Sequence, residues 1–145
     1  MSELLADACQ TGDLRLVKKL LRRDPSLLNQ KDKGGWTPLH VACQTGGEAL
    51  VQFLLEKGAT IDLASNDGAT ALTYACKNGH KGTAILLLKK GATVDLVEDD
   101  GRTALIFACK NGHGDIARLL LDEGAFIDHA SNSGATASEH GRDVR

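Results

Sequence analysis

Thr37-Pro38-Leu39-His40-Val41-Ala42 opens a frame that returns at a fixed spacing along the chain. Cys43, Gly46, Leu54-Leu55 and Gly58-Ala59 complete its first full copy. The next copy carries Thr70, Leu72, Ala75-Cys76, Gly79, Leu87-Leu88 and Gly91-Ala92. A third carries Thr103, Leu105, Ala108-Cys109, Gly112, Leu120-Leu121 and Gly124-Ala125. A fixed period of about 33 residues means units that cannot bury an apolar face alone and must stack on their neighbours. The 145 residues make one domain's worth of chain, with its core between units and not around a single centre.

Within each unit the punctuation reads as helix–turn–helix. Ser2 caps a first helix to Gln10, with Leu4, Leu5, Ala8 and Cys9 on one stripe. Asp13 caps a second helix from Leu14 to Arg22, with Leu16, Val17, Leu20 and Leu21 inward. Asp24-Pro25 ends it, because the residue before proline is pushed out of the α region. The step from Cys9 to Cys43 is one residue longer than those from Cys43 to Cys76 and from Cys76 to Cys109. The extra residue belongs in the Asp24–Asn29 connection, since loops accept insertions that helices do not. Thr37 caps the next inner helix with Pro38 at its first position. Outer helices are expected over Glu48–Lys57, His80–Lys90 and His113–Glu123, and inner ones over Thr70–Asn78 and Thr103–Asn111. Gly82 and Gly114 each cost up to about 1 kcal/mol against alanine. With Thr83 in an apolar slot, the third outer helix is expected to be the weakest.

Thr37 to Ala42 matches the T-P-L-H-x-A signature of the ankyrin repeat in full, and the chain resembles an ankyrin-repeat protein over almost its whole length. Ala71 and Ala104 replace the signature proline, and Thr73 and Ile106 the histidine, so the later units keep the apolar frame and glycines only. The resemblance implies an all-α ankyrin-repeat solenoid of helix–turn–helix units with projecting β-turns, four repeats plus a C-terminal stub. Residues 1–34 form a basic N-terminal cap, then come repeats at 35–67, 68–100 and 101–133. Residues 134–145 start a fifth unit that fails, with Ser138, Gly141 and Arg142 where leucine, alanine and cysteine belong. They are read as a polar tail or as the edge of a longer chain. Ile116, Leu119 and Leu120 are then expected to have little behind them. The resemblance also gives His40, His80 and His113 structural hydrogen-bonding roles.

The other chemistry is bland. Cys9, Cys43, Cys76 and Cys109 share one slot of successive inner helices. Helices pack about 8–10 Å apart, whereas a disulfide needs Cα atoms within about 7 Å, so the row reads as small buried core residues. Cys76-x3-His80 and Cys109-x3-His113 have passable ligand spacing, but the histidine roles above account for them. The Glu98-Asp99-Asp100 run lacks the further ligands of a calcium loop. No nucleophile elbow, P-loop or H-E-x-x-H is present. We therefore expect no enzyme, no metal and no cofactor. A net charge of -2 and 3% aromatic residues disfavour nucleic acid as a partner. No apolar run approaches the ~20 residues of a membrane span, and the N-terminus carries no basic leader, so the expected address is cytoplasmic or nuclear.

What remains is surface. In ankyrin proteins partners lie on the turn tips and the exposed side of the inner helices. The matching positions are Lys33, Gly34, Trp36, Gln44 and Thr45, then Asn66, Asp67, Ala69, Lys77 and Asn78. Asp99, Asp100, Arg102, Lys110 and Asn111 come next, with Asn132 and Ser133 closing the row. Trp36 and Arg102 are the expected anchors, being residue types common at interface hot spots. The alternative for Trp36 is to lie flat over the neighbouring turn. Lys77 and Lys110 behind the acidic Asp99-Asp100 tip suggest a partner segment of mixed charge. The expected function is non-catalytic binding of another protein as adaptor, scaffold or inhibitor. The rival is weak self-association through a poorly capped C-terminal repeat.

Overall fold

The structure, a computed structural model, describes residues 2–127, 131, 132, 134, 136 and 137. Helices come in pairs: α1 (Glu3–Thr11) with α2 (Leu14–Arg23), and α3 (Pro38–Thr45) with α4 (Glu48–Glu56). Next along the chain are α5 (Ala71–Lys77) with α6 (Lys81–Lys89), then α7 (Ala104–Lys110) with α8 (Gly114–Asp122). The inner helices α1, α3, α5 and α7 stack in a row, and α4, α6 and α8 form a looser outer row. This is an all-helical solenoid of helix–turn–helix units. One element was not foreseen: Pro25–Asn29 is a 3-10 turn, and it holds the extra residue of the first unit. Asp24 starts it by accepting from the Ser26 amide.

Thr37, Thr70 and Thr103 each accept a hydrogen bond from the backbone amide three residues on, which stops the helix at that residue. After each inner helix the chain reverses on a glycine, and the outer helix returns antiparallel. The apolar faces then meet. Leu39, Leu72 and Leu105 of the inner helices and Leu54, Leu87 and Leu120 of the outer ones are fully buried. Each such leucine contributes about 2 kcal/mol of transfer free energy. Ala42, Ala75 and Ala108, each beside its cysteine, keep the inner row close. All four cysteines are free thiols in this buried row. Burial pushes Cys9 and Cys76 up to about 12 and raises Cys43 and Cys109. None is a thiolate at neutral pH.

Between pairs the chain forms hairpin tips. The amides of Asp32, Ser65 and Glu98 donate to the carbonyls of Trp36, Ala69 and Arg102, four residues on. Gly35, at φ 79°, allows the next tip to come close. A Cβ there would lie 2.6 Å from the Asn66 amide nitrogen, which donates to the Gly34 carbonyl. Neighbouring tips are thus bonded backbone to backbone, and Asp99 repeats the contact on the Asp67 carbonyl. The borders expected from the sequence at 34/35, 67/68 and 100/101 correspond to residues of these tips.

His40 is 1% exposed and bonds on both sides. The Thr37 amide can only donate, so Nδ1 is the acceptor at 2.9 Å. Nε2 therefore carries the proton and donates to the Leu63 carbonyl at 2.9 Å, tying the helix start to the next loop. His80 and His113 bond across units instead, to the Gln44 and Lys77 carbonyls of the preceding unit.

Two expectations change. Leu4 is 53% exposed. The stripe of α1 centres on Leu5, Ala8 and Cys9 and leaves Leu4 on the flank. Ile116 and Leu120 are buried, in a core cluster that also includes Ala137. A Cβ at Gly82 would meet only the flexible end of the exposed Glu48 side chain, which can swing aside. The Ser138, Gly141 and Arg142 departures lie outside the described residues.

Two predictions concern stability. The Thr83 hydroxyl is buried without a hydrogen-bond partner among the described residues. Thr83→Val keeps the shape and removes that desolvated group, so chemical denaturation should show a gain of about 1 kcal/mol. Burial lowers the His40 pKa below its ordinary 6.5. The unfolded chain then takes up the proton first as pH falls. Stability from this group is complete above about 6.5 and is lost progressively below it. His40→Thr, which copies the Thr70–Thr73 cap but drops the Leu63 contact, should cost about 1–3 kcal/mol at neutral pH. It should also flatten the decline in unfolding free energy between about pH 7 and 5.

Candidate functional site

The hairpin tips and inner helices enclose an open groove of about 500 Å³. Its lining is Trp36, Gln44, Asp67, Tyr74, Lys77, Asn78, Glu98, Asp99, Asp100 and Arg102. Tyr74 and Glu98 were not expected there; the others were, from the turn and helix slots.

One slot of the frame supplies the aromatic rings. Val41, Tyr74 and Phe107 stand one period apart on α3, α5 and α7. The Tyr74 hydroxyl donates to the Ser65 hydroxyl at 3.2 Å, fixing the ring against the base of its own tip. Trp36 reaches across from the previous unit and packs on it, ring centroids 4.3 Å apart and tilted by 40°. His40 closes the cluster edge-on to Tyr74, centroids 5.7 Å apart. Trp36 is therefore a half-buried side chain packed between two units.

One unit on, Phe107 sits between two cations. The Lys77 ammonium is 5.0 Å and the Arg102 guanidinium 4.4 Å from its centroid. Asp100 locks Arg102, accepting from its amide at 3.0 Å and from Nε at 2.5 Å, while Glu98 stands 3.6 Å from Nη2. Burial, and then the neighbouring Asp100, raise the Glu98 pKa. Burial also raises that of Tyr74. The Asp67 and Asp99 side chains have no cationic partner among the described residues. The groove thus shows four carboxylates against Lys77 and Arg102, with Arg102 already engaged.

The other expected residues separate by role. Lys33, Thr45 and Lys110 are exposed but lie outside this groove. Ala69 is 0% exposed, so it presents no side chain to a partner: it is packed away in the stack below the tip. Asn66 and Asn111 are exposed but hold neighbouring units together. Their amide groups donate to the Lys33 carbonyl at 2.7 Å and the Lys77 carbonyl at 2.9 Å. Asn132 does likewise on Asp99 at 3.1 Å. Ser133 lies outside the described residues. A signal for Tyr74 does exist in the frame: it stands two residues after Leu72, in the slot that Val41 fills after Leu39.

Among the described residues, no group of three or more His, Cys, Asp or Glu side chains is placed to hold a metal ion. No helix among them is long and apolar enough to cross a membrane.

A family model described as ankyrin repeats (3 copies) matches residues 5–98, and one described as ankyrin repeats (many copies) matches residues 83–121. Protein phosphatase 1 regulatory subunit 27 of Mus musculus is 39% identical over 64 residues, 44% of this chain and 41% of that protein. The 2-5A-dependent ribonuclease of Homo sapiens is 41% identical over 68 residues, 47% of this chain but 9% of that protein. Ankyrin repeat domain-containing protein 40 of Mus musculus is 35% identical over 66 residues, 46% of this chain and 18% of that protein. The chain spans less than half the length of each of these relatives. Ankyrin repeats are non-catalytic modules that mediate protein–protein interaction, and it is to the ankyrin-repeat family, by its frame, its stacked helix pairs and these matches, that the chain belongs.

Proposed function

We propose that the chain binds a segment of another protein in the groove between its hairpin tips and inner helices, without catalysis, as an adaptor, scaffold or inhibitor. The observation that carries this is the groove itself. An aromatic wall of Trp36 and Tyr74 stands beside the carboxylates of Asp67 and Asp99, which have no cationic partner among the described residues. Aromatic faces with nearby carboxylates suit a cationic side chain, above all arginine, which can stack and pair at once. The partner segment is therefore basic at its centre, where the sequence alone suggested mixed charge. A relative named as a regulatory subunit supports a role in which binding alone controls another protein.

Self-association is the second reading. Phe126 is 72% exposed, and its amide donates to the Asp95 carboxylate at 3.1 Å, close to the exposed Leu96 and Val97. A second copy covering these residues would give a mass that grows with concentration in sedimentation. A mass constant at the monomer value removes this reading.

The first reading is tested by affinity capture combined with cross-linking. Asp67→Lys with Asp99→Lys reverses two charges in the groove and leaves the core untouched. That bait should fold and melt like the parent and lose the captured partner by about tenfold or more. Cross-links from the parent should map to the tips and inner helices. Capture unchanged by the reversal, with cross-links on the outer helices, overturns the proposal. Trp36→Ala is a poorer probe, since it also removes packing against Tyr74.

A further inference from the structure

The first unit carries a second groove that shares no residue with the first. α4 packs on α6 and α6 on α8, whereas α2 packs on α1 and on the 3-10 turn at Pro25–Asn29. Beside that turn lies a recess of about 510 Å³. Leu21, Leu28 and Phe53 give it an apolar lining, and Lys18, Arg22 and Lys57 surround them. Leu21 is buried, Leu28 and Phe53 are half-buried, and the three cations are exposed.

These cations converge. The Lys18 and Lys57 ammonium groups, from two different units, lie 5.4 and 5.7 Å from the centre of one ring, that of Phe53. No carboxylate lines the recess. The acidic residues beside it in sequence are engaged elsewhere. Asp24 accepts from the Ser26 amide at 3.1 Å and its hydroxyl at 2.5 Å, and Glu56 accepts from Gln52 at 2.6 Å. Arg22 and Lys57 also complement the carboxyl ends of α2 and α4, but Lys18 lies mid-helix, beyond the reach of either end.

We propose that this groove docks an acidic segment of a partner protein. An apolar side chain of that segment seats on Leu21, Leu28 and Phe53, and flanking carboxylates pair with Lys18, Arg22 and Lys57. Charge complementarity selects the occupant: three cations meet around an apolar recess with no anion of their own. A nucleic acid suits it less, because the two ammonium groups already sit at the one aromatic ring on which a base could stack. A bilayer suits it less, because lying on a membrane needs an exposed apolar face, and here the apolar atoms are recessed between charges.

The test uses the full chain and a short fluorescein-labelled peptide of glutamates flanking a Leu-Phe pair, monitored by anisotropy. Saturable binding that weakens with added salt is expected. Lys18→Glu with Lys57→Glu, both at exposed positions, should lower affinity by about tenfold or more. Asp67→Lys with Asp99→Lys should leave it unchanged, which separates this groove from the one between the tips. Absence of saturable binding overturns the proposal, as does binding untouched by the Lys18 and Lys57 reversal. Binding of phosphatidylserine vesicles or poly(U) RNA, but not of the peptide, overturns it equally.

Discussion

Each unit of this chain leaves an apolar face that the next unit covers and polar groups that the next unit bonds. The Gly34 carbonyl accepts from the Asn66 amide, and the Asp67 carbonyl from that of Asp99. The Gln44 and Lys77 carbonyls take the His80 and His113 imidazoles. In the loops between pairs, Asn29 receives the Thr60 amide and Asp62 that of Thr93. A lone unit would leave these surface groups to water at little cost, but it would also leave its apolar face in water. Stacking is therefore obligatory, and the constant spacing of the frame results from it, since a unit of another length would misplace these donors.

The same constraint explains which residues vary. Positions whose side chains bridge units or fill the space between them keep their type: threonine at the cap, glycine at the reversal, alanine and cysteine in the inner row. The tip positions vary, running Lys33, Asn66 and Asp99 or Trp36, Ala69 and Arg102, although Asn66 bonds the preceding unit and Ala69 is buried. Binding character therefore sits on a scaffold that does not depend on it. Trp36 is the exception that couples the two, because it serves both as groove wall and as packing between units.

Much of this is legible in the chain itself. The threonine caps, the glycine reversals and the cysteine slot are local or strictly periodic, and local rules read them correctly. The limits are equally physical. A repeat register tells which slot a residue fills, but not where its side chain points. Ala69 shares a slot with Trp36 and Arg102, yet it is too short to leave the stack. Asn66 and Asn111 look like free surface amides, but their register with the preceding unit turns them into cross-repeat donors. The slot of Tyr74 is readable in the frame, but its contact with Trp36 is not, because it joins residues far apart in sequence. The 3-10 turn at Pro25 was placed only as a connection, since proline and an aspartate cap announce a break but not the conformation beyond it.

The two grooves arise where the periodic frame relaxes. One is made by the variable slots of the tips, and its excess of carboxylates comes from Asp67 and the Glu98–Asp100 run. The other lies beside the insertion, where the longer first unit keeps its helices in register by adding a turn on the outside. Neither charge cluster is neutralised by the other, because the stacked core lies between the tips and the outer helices. A chain of net charge -2 thus presents an acidic surface and a basic one at a separation set by rigid packing. Bulk charge conceals this arrangement entirely, since the two clusters cancel in the sum while remaining apart in space. An interaction module gains from that separation: opposite charges held apart attract different partners, whereas the same charges intermixed would pair with one another.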